Sequence, residues 1–105
     1  MAQLPAEIKK TVDSYLIALR RHNIPIQKAV LFGSYAAGNY NDFSDIDIAL
    51  VSDAFKGDRI SNKDKIRSVT LSVSSAIEVM PFSPADFHPR NPFVKEILKT
   101  GIHLI

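Results

Sequence analysis

Two aspartates spaced two apart, a glutamate inside an apolar run and a Gly-Ser pair are the residues of this chain whose types and spacing could do chemistry. Asp45 and Asp47 belong to Asp45-Ile-Asp-Ile-Ala-Leu-Val51, which alternates polar with apolar at its start as a half-buried strand does. On a strand both carboxylates point to one face, with Cα atoms roughly 6.5 Å apart, and Ile46 and Ile48 face the other way. Carboxylates that converge like this repel unless something positive lies between them, and a pair of divalent ions about 3.5–4 Å apart uses both as ligands. Oxygen donors of this kind select magnesium or manganese over zinc. Glu78, in Ile77-Glu-Val-Met-Pro-Phe82, needs either solvent at a sheet face or a cation, since burying it alone costs on the order of several kcal/mol or raises its pKa. A neighbouring strand could bring it beside the aspartates. Gly33-Ser34 follows a strand-like run, and a residue without a Cβ lets backbone approach an anion to which Ser34 offers hydroxyl and amide. Singly, each feature also fits a plain structural reading: a solvated strand face, an outward carboxylate on an edge strand, a turn. The segment Gly33-Ser-Tyr-Ala-Ala-Gly38 lacks the Gly-Lys-Ser/Thr ending of a Walker-type loop.

These residues need elements to hold them. Pro5 suits the first turn of a helix, and Ile8, Val12, Tyr15, Leu16 and Leu19 then recur at helical spacing, which predicts a helix from about Pro5 to His22. Asn23 and Pro25 break it. Lys28–Phe32 is a short apolar run of strand type ended by Gly33, the next seven or so residues read as loop, and Asp45–Val51 is the second strand. From Asp58 to Ser75 the signals conflict, because Ile66, Val69 and Val73 fit a helix face while Val69, Leu71 and Val73 alternate; length and the charged first half favour a helix from Asp58 to Val73. Ala76–Phe82 reads as a third strand. Pro92 opens a last helix through Phe93, Ile97 and Leu98, with Gly101 expected as its left-handed stop.

At 105 residues, with 46% hydrophobic and 23% charged, the chain has the composition of one ordinary globular domain, neither disordered nor membrane-embedded. Its purely apolar runs are far below the ~20 residues a bilayer needs. The start of the chain does not read as a signal peptide, so a cytoplasmic location is the expectation. With no cysteine there is no disulfide, thiol nucleophile or cysteine metal site, and His22, His88 and His103 are too widely spaced for a ligand pair. The net charge of +2 does not indicate nucleic-acid binding. Lys56, Arg59, Lys63, Lys65 and Arg67 gather after the carboxylates, where they could sit near an anionic ligand or form a solvated helix face with Asp58 and Asp64 interleaved.

Gly33-Ser34, Gly38 four residues on, and Ser44-Asp-Ile-Asp-Ile-Ala-Leu50 together resemble the Gly-Ser…Ser-Asp-x-Asp signature of the nucleotidyltransferase superfamily that includes DNA polymerase β. The length resembles its minimal (MNT) branch, and the likeness runs from about Val30 to Ile105, with the stretch Asn91–Gly101 similar to the closing helix common there. The resemblance implies a nucleotidyltransferase fold over residues 1–105 as a single domain: an α/β (α+β) arrangement in the order α-β-β-α-β-α, with a small mixed sheet of three or four strands and helices packed on one side. It implies two Mg²⁺ ions (Mn²⁺ as substitute) held by Asp45, Asp47 and Glu78 as catalytic and metal residues, and ATP with its β and γ phosphates at Gly33 and Ser34. Glutamate stands where aspartate is commoner in the family, which lengthens the reach of that ligand by one methylene.

Minimal members of that superfamily are often encoded beside an all-helical HEPN protein and act as its antitoxin. By resemblance, the expected activity is AMP transfer from ATP to a partner hydroxyl, foremost a tyrosine of such a toxin. A different class of function is a binding-only antitoxin, with Tyr35, Tyr40, Phe43 and Phe55 as candidate contact residues. A third is a stand-alone enzyme acting on RNA or a small molecule, and a homo-oligomer is compatible with all three.

Overall fold

The structure, a computed structural model, describes residues 4–57 and 59–105. The expected start of the second long helix at Asp58, and that residue's place in the cationic cluster, lie outside the described residues. The elements are α1 (Ala6–Arg21), β1 (Lys28–Phe32), α2 (Ser34–Ala37), β2 (Ile46–Val51), α3 (Arg59–Val73), β3 (Ile77–Phe82), α4 (Pro92–Thr100) and β4 (Ile102–His103). The strands form one mixed sheet in the order β3-β2-β1-β4, with β1 antiparallel to β2 and β4, and β2 parallel to β3. A parallel pair needs a crossover, and α3 supplies it.

Alternation along the strands sorts the core into two layers. Ala29 and Leu31 of β1, Ile46, Ile48 and Leu50 of β2, and Ile77 and Val79 of β3 pack against Val12, Tyr15 and Leu19 of α1 and Ile66 and Val69 of α3. The buried Tyr15 hydroxyl shares a 2.7 Å hydrogen bond with Thr70 Oγ1, which ties α1 to α3. The conflict resolves as helix over Arg59–Val73: Asn62, Ile66, Val69 and Thr70 are buried at helical spacing, whereas Leu71, which a strand would have buried with Val69 and Val73, is 55% exposed.

The other face carries Val30, Ala49, Val51 and Phe82, covered by Val94 and Ile97 of α4. Helices on one side thus describes α1 and α3 but not α4. The short apolar runs Ala29–Phe32 and Ile48–Val51 are covered on both faces, which is why they do not alternate. Asn91 caps α4 by accepting a 2.9 Å hydrogen bond from the Phe93 N–H, with Pro92 in the first position.

Two elements go beyond the expected order. The loop after β1 contains the four-residue α2, and β4 follows α4 and pairs with β1. Gly101 is not a left-handed stop: its φ of −76° and ψ of 165° are extended backbone open to any residue. It is glycine because a Cβ there would stand 2.5 Å from Ile97 O and from Val30 Cγ1, and 2.9 Å from Leu31 O, so the end of α4 presses onto β1.

Candidate active site

The chemistry-bearing residues meet at one end of the α4 face of the sheet. Asp47 has Phe32 as its Cα partner on β1 and Glu78 as its partner on β3, so a carboxylate from β2 and one from β3 stand side by side on the same face. Asp45 lies exposed one residue ahead of β2, two positions before Asp47. The turn that delivers it is closed by Asn41, whose Oδ1 accepts the Phe43 N–H at 2.8 Å and whose own N–H donates to Ser44 Oγ at 2.9 Å. Ser44 supports that turn through its hydroxyl. Asp53 accepts a 3.1 Å hydrogen bond from Gln27 Nε2 and takes no part in the cluster.

Gly33 sits against this cluster. Its φ of 76° and ψ of −150° belong to a region essentially reserved for glycine, and a Cβ there would stand 3.1 Å from Asp47 Cγ and closer still to Oδ2. The chain turns at Gly33 straight into α2, where Ala37 N–H donates to Gly33 O at 3.0 Å and Gly38 N–H to Ser34 O at 2.9 Å. Tyr35 is buried and stacks on Tyr40, ring centroids 4.6 Å apart, which fixes the turn that presents Ser34. Phe93 of α4 meets Phe32 edge-on at 5.8 Å, beside Asp47.

The electrostatics are those of a crowded anion site. The Asp47 carboxyl is raised above its ordinary value, first by burial and then by the negative charges of Asp45 and Glu78. Among the described residues no cation pairs with Asp45 or Asp47, while Glu78 pairs with Lys63 of α3. Nor do any three His, Cys, Asp or Glu side chains among them stand together as a ready-made metal cage. The donor set nevertheless fits a hard divalent cation: oxygen only, with Asp47 held above its ordinary pKa by burial and then by two carboxylates whose charge a cation would neutralise, and backbone without a Cβ at its side.

A cavity of about 320 Å³ opens on the β3 side of the cluster, walled by Phe32, Ile60, Met80 and Pro81 with Asp47, Glu78 and Lys63 at its polar end. A second, of about 310 Å³, lies on the α2 side between Gly33, Ser34, Asn39 and the α4 residues Phe93 and Glu96. Phe32 borders both. The expected residues Gly33, Asp45, Asp47 and Glu78 are thus brought to one place, and Ser34 faces the adjoining cavity. Lys63 is one of the cations the sequence left open between an anionic ligand and a solvated face; it follows the buried Asn62 on α3 and stands beside Glu78, a placement that no local pattern marks. Of the four candidate contact aromatics, Tyr35 and Phe55 are core, while Tyr40 and above all Phe43, at 93%, are exposed. No helix among the described residues is long and apolar enough to cross a membrane.

Comparison with known proteins agrees with this geometry. A presumed protein adenylyltransferase of Methanocaldococcus jannaschii is 44% identical over 46 residues, 43% of this chain and 46% of that protein, so the match spans about half the length of the curated relative. Among solved structures, a toxin–antitoxin crystallised with AMP-PNP superposes with a TM-score of 0.60 at 27% identity, covering 87% of this chain and 70% of that one. A presumed nucleotidyltransferase from Sulfolobus solfataricus shares the fold, with a TM-score of 0.53 at 19% identity over 98% of this chain and 89% of its own. The family described as "Nucleotidyltransferase domain" matches residues 13–102, and with that match over most of its length the chain belongs to the nucleotidyltransferase domain family.

Proposed function

We propose that this protein transfers AMP from ATP to a hydroxyl of a partner protein, foremost a tyrosine of a helical HEPN-type toxin, and serves as the antitoxin. The observation that carries the reading is the side-by-side placement of Asp47 and Glu78 across β2 and β3, with Gly33 against the Asp47 carboxylate. The adenylyltransferase relative and the nucleotide-bound toxin–antitoxin neighbour support the choice of chemistry and partner class. Asp45, Asp47 and Glu78 would hold Mg²⁺, and Gly33 and Ser34 would take the β and γ phosphates. Divalent ions bound there would lower the pKa of the attacking hydroxyl and neutralise the triphosphate. The acceptor oxygen bonds to the α phosphorus, the bond from that phosphorus to the α–β bridging oxygen breaks, and pyrophosphate leaves. Glu78, at the rim of the cavity, accepts the hydroxyl proton or passes it to solvent. The remaining work of the chain is to position the groups and to match their charge.

A second reading, an antitoxin that acts by binding alone, is favoured by one observation: Phe43 is held out at 93% exposure by the Asn41 turn, two residues from Asp45. The test is transfer from α-labelled ATP with Mg²⁺ to a helical HEPN-type protein as acceptor, comparing wild type with Asp47→Asn and running other labelled nucleotides in parallel. Label on the partner from wild type alone, as a mass gain of one or more AMP units, is the expected result. No label with any nucleotide, together with equal neutralisation by both forms, would leave the binding-only reading standing and remove the catalytic one.

A further inference from the structure

Two carboxylates and one ammonium group share the β3-side cavity. Lys63 Nζ pairs with Glu78 Oε1, both side chains about half exposed, while Asp47 and the nearby Asp45 have no cation among the described residues. Lys63 reaches Glu78 from α3. Its backbone is anchored by the buried Asn62 and, one turn on, by Ile66, so the ammonium moves on a fixed stem. It borders both the cavity with Asp47 and the neighbouring cavity that runs between α3 and β3 past Arg67. An ammonium group on Oε1 opposes bidentate ligation by that carboxylate and draws charge from its other oxygen, so whatever stabilises the pair weakens the metal.

We propose that Lys63 is a positioning residue that keeps Glu78 at the rim of the cavity until a divalent cation takes the carboxylate, so that Lys63 and the metal compete for Glu78. The proposal rests on Glu78 being a metal ligand, as in the function proposed above. An exposed pair of this kind contributes little, and its removal should tighten metal binding by roughly two- to fivefold. In the protein without metal the pair leaves two unneutralised carboxylates rather than three. When a metal enters, the displaced ammonium stays in the same cavity as Asp47, so the site does not lose that positive charge.

The experiment is Mn²⁺ titration followed by electron paramagnetic resonance, at low salt, with and without ATP. Wild type, Lys63→Met, Lys63→Arg, Glu78→Gln and the double variant Lys63→Met/Glu78→Gln are compared, with Arg67→Met as a control for loss of a nearby positive charge. Lys63→Met is expected to bind Mn²⁺ two- to fivefold tighter, Lys63→Arg and Arg67→Met to stay near wild type, and the gain to vanish in the Glu78→Gln background. An unchanged or weaker affinity in Lys63→Met would overturn the competition while leaving the proposed chemistry intact. So would a gain that persists without Glu78, since that would be a field effect and not release of a ligand. Failure of wild type to bind Mn²⁺ with or without ATP would overturn the functional reading itself and this inference with it.

Discussion

Substituting Gly33 by alanine separates the two demands the site makes on that position. The first is backbone: φ 76° with ψ −150° costs a residue with a Cβ about 1–3 kcal/mol. The second is space, because the new methyl would fall on the Asp47 carboxylate, and forcing extra volume into a packed contact adds about 1–3 kcal/mol. Gly57 is an internal control with φ 88° and, among the described residues, nothing within 4 Å of an added Cβ, so Gly57→Ala carries only the backbone cost of about 1–2 kcal/mol. Gly33→Ala should therefore lower stability by about 4 kcal/mol and the melting temperature by roughly 16–32 °C, and Gly57→Ala by half that or less. Urea unfolding of both variants, with calorimetry, gives the numbers. The contact is isolated by a cycle with Asp47→Ala, which removes the carboxylate that the methyl would meet: the double variant should recover about 1 kcal/mol relative to additivity. Equal losses in Gly33→Ala and Gly57→Ala, with an additive cycle, would refute the argument that Gly33 is glycine to make room for Asp47.

Three further outcomes follow from the same geometry. Asp47→Asn should raise stability at neutral pH by about 0.5–1 kcal/mol at low salt, less at high salt, because burial and the charges of Asp45 and Glu78 oppose ionisation there. The folded state then holds its proton more tightly than the unfolded chain, so wild type loses stability as pH rises from 3.8 through the raised folded pKa, and the variant lacks that loss in a pH series of urea melts. Tyr15→Phe should cost about 1–2 kcal/mol by leaving Thr70 without its partner, although Thr70 keeps its 2.9 Å bond to Ile66 O. Burial pushes the Tyr15 hydroxyl up to about 12, so the unfolded chain ionises first and wild type should lose stability between about pH 10 and 12, a loss absent in Tyr15→Phe. Gly101→Ala should destabilise by about 1–3 kcal/mol through overpacking against Val30 and Leu31, and a mutant that melts as wild type would show that α4 can shift off β1 freely.

The parts of this fold that were legible in the sequence are those where a period repeats. The stripe Val12, Tyr15, Leu19 gave α1, and the alternation Asp45-Ile-Asp-Ile placed the carboxylates opposite Ile46 and Ile48, as the two core layers confirm. What escaped was too short to have a period. Ser34–Ala37 is one turn, closed by backbone bonds to Gly33 and Ser34, and Ile102–His103 is a strand only because β1 offers an edge. The position of α4 escaped for a different reason. Nothing local to Pro92–Thr100 says which sheet face it covers; that is decided by Val30, Ala49, Val51 and Phe82, residues on three strands that only the fold brings together.

Pro81 shows how one residue carries tertiary information. The Ile46 N–H donates to Ala76 O and the Ser52 N–H to Phe82 O, so the even-numbered residues of β3 point their backbone groups at β2 and Pro81 points its missing N–H away. A proline costs a strand nothing only at such a position, on an edge. An edge strand is also the one whose carboxylate can be reached by a helix lying on the opposite face. This is how Lys63 of α3 comes to Glu78, although it is the next residue, Val79, that is buried on the α3 side. The same edge placement leaves the Glu78 side of the cluster open, with Ile60 at 76% exposure and Met80 and Pro81 along its wall. In-line displacement requires the entering and leaving oxygens on opposite sides of the phosphorus. With pyrophosphate departing toward Gly33 and Ser34 under the proposed chemistry, the acceptor must arrive over β3, and Ile60→Asp should then raise the KM for the acceptor protein while leaving the KM for ATP unchanged. Equal effects on both constants would refute that direction of approach.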